Sequence, residues 1–380
     1  MEKKVQGEMG WVNLLRVIAC FLVVLSHSCD PFVSQFDSDK GAFLTGVFTG
    51  SFVRSCVPLF VMMSGVLLLP INMSMADFYK KRIVRILIPL AFWSLVLPIL
   101  FFVYLNYINP DTQNKALNLA NHTAEATFSS LYLFIFNFSF ATIPLWYMYM
   151  LVGLYLIMPV FSGWLKQASK QDIQIFLCVW GIALVLPYLK MLAPVLGYKG
   201  NYGNMGLFGV CDWNDYGTFY YISGFTGYLV LAYYLVTYPL DWSWKKMLSI
   251  TIPMFLVGYF ITSFGFIETQ KHFPGNYANL EIVWYFAGIN VFMMTFPVFV
   301  IVQKMNITST VRLSKLASLT FGIYLCHFVF VEVGYDVIEK IAGPLPVLIK
   351  ILGIACFTFG ISALLVLLMK AFKPTRRFIM

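Results

Sequence analysis

Long apolar runs alternate with short polar breaks along this chain. Ten runs approach or exceed the roughly 20 residues that cross the hydrocarbon core of a bilayer. They cover approximately 11–29, 42–69, 83–105, 143–163, 173–196, 216–240, 247–267, 282–302, 316–335 and 345–369. The pattern predicts one all-α polytopic membrane domain of about ten transmembrane helices. A further apolar segment, Phe128–Ala141, is too short to span and reads as interfacial or re-entrant.

Charge orients these spans. Basic residues concentrate in loops on the cytoplasmic side of a membrane. Of the 26 Lys and Arg residues, 17 fall in the N-terminal segment, the tail and the loops that share their side, and 7 fall opposite. Both termini are therefore expected in the cytoplasm. The three longest outer segments are roughly 30–42, 106–142 and 197–215, and they could form a lid or an acceptor-binding rim. An eleventh span at 128–141 would invert every later loop and spoil the bias.

Composition removes the soluble alternatives. Hydrophobic residues make up 60% and charged residues 11%, with a mean hydropathy of +0.78. Soluble domains average about 45–50% apolar and about 25% charged. The net charge of +9 reads as membrane topology, because no interleaved basic and aromatic segment suggests nucleic acid. The seven cysteines form no CxxC pair and no ligand spacing, so no metal site is expected. They read as small buried hydrophobes, with Cys29 and Cys211 the two that reach the outer face. The first run carries Arg16 and His27 and has no small-residue cleavage site, so it is expected to remain as the first span. No soluble domain is expected at either end.

Ionisable side chains inside spans are costly and raise a functional question. Arg16 and His27 are eleven residues apart in the first span. At 100° per residue both lie on one helix face, separated by about 16 Å along the axis. Each alone has an ordinary reading, a snorkelling Arg and a satisfied core His. Together they suggest a route across the membrane, with a cation near the inside and a proton acceptor near the outside. Asp30 either orients the His27 ring or is a loop residue. Arg54 lies in GSFVRSCVPLFVMMSG, where Pro58 and Ser64–Gly65 predict a kink or local unwinding. It reads as facing the bundle interior, with a headgroup-reaching Arg as the plain alternative. Lys81, Arg82 and Arg85 give the third span a basic inner edge, suited either to phosphate or to simple anchoring. Trp146 and Tyr149, in PLWYMYM, read as lining a sugar or acyl site or as packing. His327, beside Cys326, reads as bridging helices, and so do Asn290 and Trp284.

Six blocks then carry a resemblance. NLLRVIACFLVVLSH resembles the Arg-x10-His signature of the first span in the acyltransferase-3 family. RSCVPLFVMMSGVLL, KKRIVRILIPLAFW, PLWYMYMLVGLYLIMPVF, TFYYISGFTGY and FGIYLCH resemble later blocks of that family, in order. The likeness is greatest to the stand-alone membrane O-acetyltransferases that modify cell-surface polysaccharides. It implies a multi-pass protein of the cell inner membrane and no tightly bound cofactor. It also implies acetyl-CoA, or another acyl-CoA, as co-substrate and a cell-surface or lipid-linked glycan as acceptor. The family's Arg and His map onto Arg16 and His27, as the catalytic pair. Lys81, Arg82 and Arg85 would hold the CoA phosphates, and Arg54, Trp146 and Tyr149 the acceptor or the oxyanion. Direct transfer and a route through an acyl-His27 intermediate both fit. Membrane lipids are expected partners, and a homo-oligomer stays open. The rival readings are a transporter or flippase of a small anion or lipid-linked sugar, and a non-catalytic receptor or assembly subunit.

Overall fold

A computed structural model describes residues 9–136, 139–192, 197 and 220–379. Among them the regular structure is helical, as expected of an all-α polytopic protein. Nine helical stretches are long and apolar enough to span a membrane. The sixth predicted span, 216–240, is described as one short apolar helix, Thr226–Thr237, and residues 216–219 lie outside the described set.

The helices in chain order begin with α1 (Gly10–Ser28), the short α2 (Asp30–Val33), α3 (Lys40–Phe52), α4 (Cys56–Leu68) and α5 (Met75–Val103). There follow α6 (Ala124–Leu133), α7 (Trp146–Leu165), α8 (Lys170–Ala183), α9 (Leu186–Leu192), α10 (Thr226–Thr237), α11 (Trp244–His272) and α12 (Tyr277–Trp284). The last are α13 (Ile289–Met305), α14 (Val311–Ala317), α15 (Thr320–Ala342) and α16 (Val347–Ala371).

Three of the predicted spans depart from expectation for local reasons. The second span is two helices, α3 and α4, broken at Val53–Ser55. Arg54 stands in the break, and Pro58 falls in the first turn of α4, where its missing N–H costs nothing. The third span starts at Met75 rather than 83, because Ser74 caps α5 by accepting from the Asp77 amide. It then runs on through a π-helical turn, Tyr104–Ile108. The eighth span, expected over 282–302, is interrupted between α12 and α13, and Asn290 closes the gap by donating to the Val283 carbonyl at 2.6 Å. Within Phe128–Ala141, expected to be too short to span, the described residues form the end of α6 and short 3-10 turns. Phe134 there takes a left-handed φ of 51°, which ends α6.

Contacts divide the chain into two compact units, one of residues 1–53, 72–159 and 307–380, the other of 54–71 and 160–306. In the first, α15 packs along α16 and α1. Gly10 lets α1 lie directly on the backbone of Ile307–Ser309, where any Cβ would collide. The Cys20 thiol donates to the Thr320 carbonyl. In the second unit α4 packs on α10 and α11 on α13. Gly65 admits the Leu229 backbone and Gly258 the Asn290 carbonyl. Asn290, fully buried, also donates to Thr262 at 2.8 Å and so bridges α13 and α11 as expected. Exposed Leu348, Leu352, Leu364, Leu367 and Leu368 leave α16 an apolar outer face, which suits lipid.

Candidate active site

His27 sits in the last turn of α1, half-buried. Cys29 ends that helix, and the chain turns at once into α2, whose first residue is Asp30. The turn brings the Asp30 carboxylate to 2.9 Å from His27 Nδ1. A carboxylate accepts, so Nδ1–H donates and Nε2 keeps its lone pair. Of the two roles open to Asp30, orienting the ring is the one the geometry supplies. Cys29, expected near the outer face, is fully buried instead and donates to the Leu25 carbonyl; Cys211 lies outside the described residues.

α15 supplies the wall opposite. The His327 ring is 5.4 Å from the His27 ring, and the Phe328 ring is 5.1 Å from it. His327 is wholly buried, and its Nδ1 lies 2.6 Å from the Tyr324 carbonyl. A carbonyl only accepts, so Nδ1–H donates here too. Its Nε2 is buried with no hydrogen-bond partner among the described residues. Tyr324 donates in turn to the Pro144 carbonyl, which ties α15 to the start of α7. Two imidazoles, each fixed in the same tautomer by its Nδ1 bond, thus stand side by side.

Sequence reasoning missed Glu332 and Asp336, which continue this face of α15. Tyr324, Phe328, Glu332 and Asp336 recur every four residues, the spacing that stacks side chains on one helix face. Asp336 accepts from Tyr104 at 2.6 Å, Asn109 at 2.7 Å and Thr112 at 2.9 Å. Glu332, 1% exposed, accepts from Asn114 and lies within electrostatic reach of Asp30. These bonds fasten the segment after α5 onto α15. They also explain why α15 runs to Ala342 rather than ending near 335: Asp336 is fully partnered inside the helix. The signal for both was an acid within an apolar span.

Arg16, at the other end of α1, is half-buried and lies within electrostatic reach of Arg85 and Tyr155. Lys81, Arg82 and Arg85 stand on the first half of α5. The helix with its π turn has 34 residues, about 50 Å of length against a core of about 30 Å. Its first turns therefore extend past the apolar layer. None of the four cations enters an ion pair among the described residues, and Arg82 Nε is buried without a hydrogen-bond partner. The structure thus joins Arg16 to the basic edge of α5, which the sequence treated as separate features.

Arg54 belongs to the second unit. Its guanidinium lies 3.7 Å from the Trp284 ring centre and 5.4 Å from that of Phe286, a cation–π arrangement. Trp284 also stacks on Phe266 at 4.0 Å, linking helices as expected. Trp146 begins α7, half-buried, and Tyr149 donates to the Ile135 carbonyl at 3.0 Å. Its neighbour Tyr147, rather than Tyr149, packs against Tyr324, with ring centres 5.5 Å apart.

A family model, acyltransferase-3, described as an acyltransferase domain, matches residues 9–367. No curated protein and no solved structure matches the chain.

Proposed function

Because the chain belongs to the acyltransferase-3 family and is a multi-pass membrane acyltransferase, we propose that it transfers an acyl group, acetyl by preference, from cytoplasmic acyl-CoA to a hydroxyl of a cell-surface glycan. The membrane is the cell inner membrane, and the acceptor stands on its outer side. The observation that carries this reading is the Asp30–His27 pair, in which Nδ1 is held and Nε2 is left free of it. An oriented neutral imidazole is a general base suited to neutral pH.

In the direct route His27 Nε2 takes the proton of the acceptor hydroxyl as its oxygen attacks the thioester carbonyl. The C–S bond breaks, and the CoA thiolate leaves with the proton returned by the imidazolium. His327, whose Nε2 is unpartnered beside His27, accepts a hydrogen bond from a second hydroxyl of the acceptor and so positions it. In the two-step route Nε2 attacks the thioester itself and carries the acyl group to the hydroxyl. Arg16, Lys81, Arg82 and Arg85 receive the phosphates of CoA, since clustered cations without acidic partners favour a polyanion. CoA is a co-substrate here, not a resident cofactor. Trp146 and Tyr149 remain proposed contacts of the acceptor or the developing oxyanion.

The test is transfer from labelled acetyl-CoA by protein in liposomes, supplied with a crude cell-surface glycan extract. Wild type should consume the donor and label the glycan, and His27→Ala should do neither while still binding acetyl-CoA. Acid quenching separates the routes, because only the two-step route leaves label on the protein. A folded His27→Ala variant with full activity sinks the assignment.

A further inference from the structure

Pro98 of α5 and described residues of the segment before α7 line a half-open cavity of about 340 Å³ in the first unit. Its polar lining is Asn121, His122, Thr127, Ser129, Ser130 and Ser139. Phe140 and Pro98 supply apolar walls. Among the described residues no Lys, Arg, Asp or Glu lines it. A phosphate or carboxylate would find no countercharge there, and an amine no carboxylate. Four hydroxyls, an amide and an imidazole beside an aromatic ring suit an uncharged ligand that is polar at its edge and apolar on its face. A sugar ring has that character. The volume is at the small end of ligand cavities, about 300–1,000 Å³, and suits one ring rather than a nucleotide.

His122 shows that the cavity is made for polar company. It is 4% exposed, stacked on Phe101 at 5.2 Å, and its Nε2 has no hydrogen-bond partner among the described residues. A buried imidazole nitrogen left unpaired costs free energy unless a ligand completes it. Burial also pushes the His122 pKa down to about 4, so the ring is neutral at ordinary pH and exerts no charge on what it binds.

The cavity adjoins the candidate active site. The Phe140 ring lies 5.4 Å from Phe328, whose ring is 5.1 Å from His27. We propose that the His122 cavity is a subsite for one uncharged sugar ring of the acceptor. This rests on the acyl-transfer reading above and names the class of acceptor: a neutral oligosaccharide.

Saturation-transfer NMR tests it on the full chain in detergent micelles without acyl-CoA. The probes are the methyl glycosides of glucose, galactose and mannose. At least one should give a signal with wild type and with His27→Ala. That signal should fall at least tenfold in His122→Ala and in Ala126→Phe, which fills the cavity from its wall, and survive in part in His122→Gln. No signal from any glycoside, or equal signals from wild type and Ala126→Phe, overturns the subsite. The transfer assay fails or stands separately. Donor consumption with glycoside binding indifferent to His122 removes only the subsite, whereas His122-dependent binding in a protein inert towards acyl-CoA removes only the transfer.

Discussion

At one end of α1, His27 meets a carboxylate, a second imidazole and an aromatic ring, and both imidazoles are held by hydrogen bonds. At the other end, Arg16 lies within electrostatic reach of Arg85 and Tyr155. At the first end the Nδ1 atom of each imidazole is already held by the protein. The second holds like charges together with no acidic partner among the described residues, an arrangement that repels itself until an anion arrives. A group that must aim a lone pair needs fixed partners, whereas a group that must capture a flexible polyanion needs charge and room. The contrast is what the proposed division rests on, with chemistry at the His27 end and donor capture at the Arg16 end.

The sharpest way to break this assignment is His27→Ala. It should lower kcat by about 10³-fold, within the span of positioned acid–base catalysis, and leave the Kd for acyl-CoA unchanged by equilibrium dialysis. A raised Kd with intact kcat would reverse the roles of the two ends. Asp30→Asn should lower kcat about 10²-fold by loosening the imidazole and its tautomer, again with donor binding intact. In thermal unfolding, His122 should make stability fall as pH drops. Its folded pKa, about 4, lies below the unfolded value of about 6.5. The unfolded chain therefore binds the proton first, and about 2 kcal/mol is lost between pH 8 and pH 5. His122→Gln should lack that slope. Replacing Lys81, Arg82 and Arg85 together by Gln should raise KM for acyl-CoA about tenfold and weaken its salt dependence, while kcat holds. The smallest effect expected is that of Asp336→Asn, about 1 kcal/mol of stability, read as earlier proteolysis of the 109–123 segment.

The sequence made the span pattern legible because apolar length alone determines it. Arg16 and His27 were legible as a pair because a helix of known pitch puts them on one face. What remained hidden depended on side-chain partners. Nothing in the apolar count shows that Ser74 starts α5 early, or that Asn290 caps the gap before α13. The burial of His122 comes from Phe101 and Phe140, about 20 residues away on either side, and no local pattern shows it. Glu332 and Asp336 were readable in principle. The donors that satisfy them, Asn114 on the one and Tyr104, Asn109 and Thr112 on the other, lie more than 200 residues away, and no periodicity reaches that far.

The overlong α5 has one more consequence. The helix is longer than the apolar layer is thick, and its basic residues stand on its first half. If these cations take the phosphates of the donor, as proposed, headgroup phosphates compete for them. Donor affinity then depends on the surrounding leaflet as well as on the protein. A bilayer rich in anionic lipid would act on this enzyme as a competitive inhibitor spread over a surface.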